Sequence, residues 1–573
     1  MDNRMIAGIN VKDDLTGLYV LSWLMTRTGP DGPIRLVPGM SFYFFNVMNF
    51  RTFNRRFGYE AGNEYLCALA DNLTAVFDTG IVARAGGDHF AVIATDLDKE
   101  AAIRKLEEFN AAMAEHDRGL KIHIKTGVYI ADENDDDITV MLDRAKVACD
   151  LINGVYDRDI EVFDGEMKYK NDMKHYVIEH FEEAFEKDYI TVYYQPVTRA
   201  LTGRVCGFEA LARWVDPVKG VISPGIFVDV MESVRVVHRL DSFIIDRVCQ
   251  DIRGIIDSGL PCQPVSVNLS QLDFELCDIT DVVFSTMKKY DIPENLIAIE
   301  ITESAVASGM KMLDEKIREF RAHGLEVWID DFGSGYSSFS NLQNHDFDTL
   351  KIDMGFVRGI GNNPKSEVII ASIVSMSKRL GLASLAEGVE TEEQYEFLRR
   401  IGCGLIQGYF FGKPEPYENR VTKTSKVAVQ PEEPSRRAYY DKICSVNLLS
   451  NNPHAIISDF DDQPFNSYNS LPILLIEVDW TDYTVSFLYI NNAYRKFMES
   501  IGIGSTDEIE SFFGPEAREN MRKVYEDAEN NPDEVLSFNV DLDEKTVIKC
   551  RIRFLARAGE TCAYSFSARL KDS

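Results

Sequence analysis

From Tyr189 onward the chain repeats one pattern: a short apolar run that stops at a polar residue, then a helix-length segment. The runs are Val192-Tyr193-Tyr194-Gln195, Gly207-Phe208-Glu209, Ser266-Val267-Asn268, Ala298-Ile299-Glu300, Trp328-Ile329-Asp330, Leu350-Lys351, Leu385-Ala386-Glu387 and Leu405-Ile406-Gln407. Repeated βα units over about 240 residues predict a (β/α)8, TIM-like barrel, placed at 175–418. In such a barrel the polar residues at strand C-termini converge on one face. Glu209, Asn268, Glu300 and Asp330 are therefore expected to meet although they lie far apart in the chain.

The flanks read differently. Ahead of the barrel, Phe42-Tyr43-Phe44-Phe45 is an apolar strand ending at Asn46, followed by a helical stretch with Asn54. Two apolar runs flank Gly86-Gly87-Asp88, which predicts two strands joined by a tight turn. The region 1–168 is thus an α/β domain. The acidic run Asp132 to Asp137 is expected to be a solvated loop. Beyond the barrel, Thr422 to Arg437 is polar and holds Pro431 and Pro434, so 419–445 is expected to be a linker or an extended strap. Within 446–573, strands are expected at Ile473–Val478, Tyr483–Ile490, Val535–Val540, Thr546–Phe554 and Thr561–Ala568. Helices are expected from Asn491-Asn492 and over Pro515–Glu529. Ile548, Cys550, Ile552 and Phe554 alternate with Lys549, Arg551 and Arg553, the period of a half-buried strand.

Composition narrows the function. A length of 573 residues predicts several domains, and the net charge of -31 argues against a general nucleic-acid or membrane-surface binder, which needs basic patches. No signal peptide opens the chain and no apolar run is long enough to span a bilayer, so a cytoplasmic protein is expected. The 10 cysteines are scattered singly, which fits reduced, buried thiols and suggests neither a zinc site nor a disulfide framework.

The barrel's polar strand ends suggest chemistry. Val327-Trp328-Ile329 ends in two adjacent acids, Asp330 and Asp331, and a Gly-bracketed loop comes next. A lone Asp-Asp pair is usually a solvated turn. Here it joins a ring of oxygen ligands with no His or Cys, which favours hard cations such as Mg²⁺ or Mn²⁺. Two such ions about 4 Å apart suit phosphodiester hydrolysis, with Lys351 one strand over to hold water or developing charge.

These residues carry two resemblances. Asp14-x-Thr16-Gly17-Leu18, the Gly86-Gly87-Asp88 turn and the helix around Ala145-Lys146 resemble the GGDEF family of diguanylate cyclases, which join two GTP molecules into cyclic di-GMP. Where that family carries acids this chain has Asn46, Met48 and Arg55, and His89 stands for Glu in the turn. The resemblance therefore implies a catalytically silent domain that could bind GTP as a regulator. The segment 175–418 resembles the EAL family of cyclic di-GMP phosphodiesterases through Glu209-Ala210-Leu211, Asn268, Glu300-Ile301-Thr302-Glu303, Asp330-Asp331-Phe332-Gly333, Lys351-Ile352-Asp353, Glu387-Gly388-Val389-Glu390 and Gln407-Gly408-Tyr409.

The EAL resemblance implies hydrolysis of cyclic di-GMP to pGpG by a homodimer. It implies that Glu209, Asn268, Glu300, Asp330 and Asp331 hold two metal ions. By the same resemblance Lys351 positions the water, and Glu387 is a candidate base. Glu303 steadies the loop Phe332 to Ser338. Gln195, Arg213, Gln407 and Asp353 serve the substrate. Ser334 and Phe339 depart from the usual Thr and Leu. A silent receptor for the dinucleotide is the alternative. The C-terminal order of two strands, helices and three strands resembles a PAS-like sensor.

Overall fold

The computed structural model describes residues 11–26, 36–95, 98–116, 122–153, 158–307, 311–333, 342–417, 430–449, 472–502, 515–541 and 547–570. The loop residues Ser334 and Phe339 and the first part of the expected linker lie outside these. The chain divides into two compact units, 1–179 and 180–573.

The first unit is built on strands β1 (Tyr19–Val20), β2 (Ser41–Val47), β3 (Ile81–Gly86), β4 (His89–Ala94), β5 (Ile124–Ile130) and β6 (Ile160–Val162), in the order β1-β3-β4-β2-β5-β6. The central strand β2 is apolar on both faces because both are covered. Tyr43, Phe45 and Val47 enter one core with Tyr65, Leu69 and Phe109, while Phe42 and Phe44 enter another with Met141, Leu142 and Ala145. The expected hairpin around Gly86-Gly87 is present, with β3 and β4 antiparallel. The acidic run is a loop with Asp132, Glu133, Asp136 and Asp137 exposed, as expected, and one residue departs from that pattern. Asp135 is drawn inward, accepting from Tyr129 Oη at 2.6 Å and from Arg144 Nη1 at 2.5 Å. A carboxylate with a cation and a phenol to satisfy it need not stay in water.

The second unit opens with β7 (Ile190–Arg199) and β8 (Val205–Asp216), the latter extended by β9 (Gly220–Ile222). Then come β10 (Val265–Leu269), β11 (Ile297–Thr302), β12 (Glu326–Phe332), β13 (Thr349–Ile352), β14 (Ala383–Ala386) and β15 (Leu405–Gln407), with β16 (Glu415–Pro416) at the edge of β7. The order β7-β15-β14-β13-β12-β11-β10-β8 closes through pairing of β7 with β8. All eight expected runs are barrel strands. The difference from a fully parallel barrel is β7, antiparallel to both β8 and β15. The turn from Ala200 to Arg204 is too short for a crossover, so it can only make a hairpin, with Gly203 at φ 68°.

The C-terminal sheet comprises β17 (Ile473–Asp479), β18 (Thr484–Ile490), β19 (Leu536–Asp541), β20 (Val547–Ala558) and β21 (Thr561–Leu570), in the order β18-β17-β21-β20-β19 and antiparallel throughout. Helices Asn492–Ser500 and Pro515–Asn530 lie between β18 and β19 in the chain, as expected. β20 runs past Phe554 because a register shift between Phe554 and Ala556 breaks the alternation without ending the strand.

The stretch expected as a linker is, over residues 430–445, a packed strap. Pro431 bridges to Val205, and Glu432 accepts from Arg199 at 2.5 and 2.9 Å with both side chains almost wholly buried. The helix Arg437–Cys444 comes next, and its Tyr439, Tyr440 and Ile443 share a core with Ile473, Leu475 and Tyr489 of the sheet. Among the described residues no cysteine is in a disulfide, and Cys206, Cys403, Cys550 and Cys562 are buried. Among the described residues no helix is long and apolar enough to cross a membrane.

Candidate active site

Strand register assembles the site. Gln195 pairs with Glu209 across β7 and β8, and Asn268 with Glu300 across β10 and β11. At the end of β12 the register to β13 shifts between Ile329 and Phe332, and Asp331 takes a left-handed conformation at φ 56°. Such a bulge re-aims side chains, and holding a non-glycine residue there stores strain. It is how two adjacent acids can address one site although neighbours on a strand point to opposite faces.

Lys351 stands at the centre. Its ammonium lies 2.6 Å from Glu300 Oε2, 2.7 Å from Glu387 Oε1, 3.1 Å from Asp330 Oδ1 and 3.7 Å from Glu209 Oε1. Asn268 Nδ2 donates to Glu209 Oε1 at 2.9 Å, and Gln407 Nε2 donates to Glu209 Oε2 at 2.6 Å and to Gln195 Oε1 at 3.1 Å. Gln195 Nε2 in turn donates to the Gly412 carbonyl at 3.3 Å. Gln407 is set by its neighbour: a Cβ on Gly408 would fall 2.2 Å from the backbone N and O of Val389, so only glycine permits the approach.

The charges do not balance. Burial pushes the Glu300 carboxyl well above its usual range, and the repulsion of Glu209 and Asp330 adds to this against the pull of Lys351. The same causes bring Glu387 to about 8. Burial and the neighbouring Asp330 and Asp353 raise Asp331. Burial works against the Lys351 ammonium, but Asp330, Glu209, Glu300 and Glu387 outweigh it and hold its pKa well above normal. One ammonium thus serves a ring that carries an excess of carboxylate.

The donor set fits hard divalent cations. Ligand oxygens of Asp330, Asp331 and Glu387 lie within 4.8 Å of one another. Glu300 Oε1 and Gln407 Oε1 are buried without a hydrogen-bond partner. A buried carboxylate oxygen without a donor is costly, and a cation is the partner that would satisfy it.

The structure therefore brings Gln195, Glu209, Asn268, Glu300, Asp330, Asp331, Lys351, Glu387 and Gln407 to one face. Glu303 stands behind them, its Oε2 accepting from Gly333 N at 2.8 Å at the exit of β12. Two residues expected at the substrate flank the ring, Arg213 within the field of Glu209 and Asp353 within that of Asp331. Arg213 donates to the Ala212 carbonyl and stacks over Tyr193 at 5.7 Å, with its pKa lowered by burial. Asp353 caps the helix Met354–Val357 through Gly355 N. Sequence reasoning did not find the relay from Gln195 through Gln407 to Glu209. Its signal was the adjacency of the first and last barrel strands, which closure imposes.

In the first unit, Asn46 Nδ2 donates to Asn153 Oδ1 at 3.1 Å and is turned to a neutral partner. Asp88 lies 3.2 Å from His89 Nδ1, and Arg84 ties the turn by donating to the Gly87 carbonyl at 2.7 Å. Asn54 Oδ1 is buried without a partner, against Gly62. Among the described residues the one cluster of three acidic, His or Cys side chains spaced for a metal is that of Asp330, Asp331 and Glu387.

Comparison with known proteins gives two family matches: "Diguanylate cyclase, GGDEF domain" over residues 35–151 and "EAL domain" over residues 178–414. Signaling protein YkoW of Bacillus subtilis is 30% identical over 383 residues, which is 66% of this chain and 48% of that protein. Cyclic di-GMP phosphodiesterase NbdA of Pseudomonas aeruginosa is 28% identical over 384 residues, 66% of this chain and 49% of NbdA. The chain spans about half the length of these curated relatives. Among solved structures, the PaMucR phosphodiesterase in complex with c-di-GMP is 33% identical and covers 43% of this chain and 99% of its own, with a TM-score of 0.41.

Proposed function

We propose, from the premise that this chain carries a GGDEF domain over residues 35–151 and an EAL domain over residues 178–414, that its barrel hydrolyses cyclic di-GMP to linear pGpG. The observation that carries the reading is the complete oxygen ring around Lys351, with an orphaned Glu300 oxygen and three carboxylates spaced for a cation. NbdA, 28% identical over 384 residues, is named a cyclic di-GMP phosphodiesterase.

Glu209, Asn268, Glu300 and Asp330 would hold one divalent ion, and Asp330, Asp331 and Glu387 a second. Bound there, Mg²⁺ or Mn²⁺ supplies positive charge that polarises the scissile phosphate and acidifies water. Lys351 keeps its proton and donates it as a hydrogen bond to charge that develops on the phosphate. Glu387, 2.7 Å from Lys351, is the candidate to take a proton from water once bound metal has displaced its own. Gln407 holds Glu209 and Gln195 in register, and Gln195 and Arg213 orient the dinucleotide. Asp353 steadies the turn after β13.

The GGDEF domain is silent in synthesis, because Asn46, Met48 and Arg55 replace acids, and it binds GTP as a regulator. The chain works as a cytoplasmic homodimer with a PAS-like sensor at its C-terminal end. A second reading, a receptor that binds cyclic di-GMP without cutting it, draws on one observation: Lys351 already bridges the ring's carboxylates. Glu209→Ala separates the two. In a hydrolase it removes a ligand and abolishes turnover, by at least about 10³-fold. Wild-type protein that binds cyclic di-GMP and releases no pGpG with either metal supports the receptor.

A further inference from the structure

A second concave site lies away from the oxygen ring, where the barrel helix Glu392–Arg400 faces the C-terminal sheet. This groove, of about 350 Å³, has Arg399 and Arg400 on one side and Arg495, from the helix Asn492–Ser500, on another. Its apolar wall is β18 from Phe487 to Ile490. β18 is the edge strand of its sheet, so it turns an outer flank to this groove. Tyr489, buried, donates its hydroxyl to the Arg400 carbonyl and ties the two walls together.

The charge there runs against the rest of the molecule. The chain carries -31, yet three guanidiniums converge here with Glu396 as the acid among the lining residues. That acid is 3.6 Å from Arg399 Nη1. Among the described residues no carboxylate pairs with Arg400 or Arg495, and Arg399 Nε is buried with no hydrogen-bond partner. Arg400, Arg495 and Arg399 all act on the Tyr489 phenol, against the burial that raises its pKa, which places the three charges around one point.

The plain alternative is helix electrostatics. Arg399 and Arg400 lie in the last turn of their helix, where the dipole favours cations. That accounts for two of the three. It does not account for Arg495, which comes from another element and adds repulsion, nor for a buried guanidinium N–H left without an acceptor.

We propose that this groove binds a small organic phosphate. Guanidinium forks match phosphate oxygens in pairs, and three of them exceed what one carboxylate could neutralise. The volume lies within the small-molecule range of about 300–1,000 Å³, too small for a folded partner. The apolar strand at its side gives an organic body somewhere to lie. Because the walls belong to the barrel and to the C-terminal sheet, the occupant bridges the two.

The test is titration calorimetry on the full chain with inorganic pyrophosphate and, separately, ATP, comparing wild type with Arg495→Ala, Arg399→Ala and Phe487→Ala. Both probes bind wild type, and each arginine variant weakens both by about 10-fold or more, the loss of one charge-assisted pair. Phe487→Ala weakens ATP more than pyrophosphate. Arg495 is exposed, so its variant keeps the wild-type melting temperature, which confirms that lost binding is not lost folding. Affinities unchanged by both arginine substitutions, or binding of a Glu-rich hexapeptide in place of both phosphates, overturn the proposal.

Discussion

Lys351 Nζ lies 2.6 Å from one oxygen of Glu300, while the other oxygen of that buried carboxylate has no donor. The pair is half-satisfied without metal, and Lys351 does the satisfying. Lys351→Ala should therefore act twice. In turnover it lowers kcat more than it raises KM, because the ammonium works on charge that forms in the transition state. In metal-free protein it leaves several buried carboxylates uncompensated, at a cost of about 3–5 kcal/mol. Steady-state kinetics and melting curves with and without Mn²⁺ check both, with the metal recovering part of the lost stability. A pure rise in KM speaks against the role.

Glu387 is raised to about 8 in the metal-free barrel by burial and the neighbouring acids. The folded state therefore holds a proton that the unfolded chain releases near its ordinary pKa of about 4.3. Between those values the native state binds more protons, so this group's contribution is present at low pH and is lost as pH rises towards 8. Metal competes for the same oxygens, so binding releases protons and tightens with rising pH. Thermal stabilisation by Mn²⁺ should be larger at pH 8.5 than at pH 6. Equal stabilisation at the two values would show that the ring is already ionised.

A third prediction lies in the strap. Arg199 and Glu432 form a two-pronged ion pair buried at 2% and 1% side-chain exposure, so neither group can turn to water when its partner is lost. Asp441, 3.0 Å from Arg199, is half exposed and offers only partial relief. Glu432→Ala should lower stability by about 3–5 kcal/mol, and the double variant Arg199→Met with Glu432→Leu should recover most of it. Urea unfolding of the three proteins measures this. A double variant as unstable as the single one would mean that the pair is held for packing and not for charge.

The strap also shows where the sequence is silent. The barrel's eight runs are legible because burial on both faces keeps each strand mostly apolar up to its polar end, and closure dictates where those ends meet. Glu432 is not legible. It sits between prolines in a polar stretch, which reads as solvated, and its partner lies 233 residues away. Nothing local records an ion pair of that span. The reversed direction of β7 is equally hidden in the periodicity, since an apolar run has no arrow; only the brevity of the turn at Gly203 betrays it. The bulge at Asp331 is hidden for the same reason, because a change of register leaves composition untouched. At the C-terminal end the alternation through Ile548 and Phe554 located β20 but stopped at the register shift that lets the strand continue to Ala558.

The GGDEF domain should make no cyclic di-GMP from GTP, whatever the supply of Mg²⁺. Asn46 is neutral and turns to Asn153, which leaves Asp88 with little help in holding hard cations against a triphosphate. Glu209→Ala protein, in which any product would accumulate, should give none from labelled GTP. Cyclic product there would refute the silent reading. Wild-type hydrolysis that is the same with and without GTP would remove its regulatory part alone, since a ligand shifts activity only by binding two states unequally.

The most direct test of the hydrolase is metal depletion and return. Full-length protein is stripped with chelator, loaded with cyclic di-GMP, and then given Mg²⁺, Mn²⁺ or Ca²⁺ while products are separated by chromatography. The dinucleotide should stay intact before metal, give pGpG after Mg²⁺ or Mn²⁺, and give little or none with Ca²⁺, whose looser coordination misplaces the water. Cyclic di-GMP that stays bound and uncut after Mg²⁺ and Mn²⁺ are restored would contradict it.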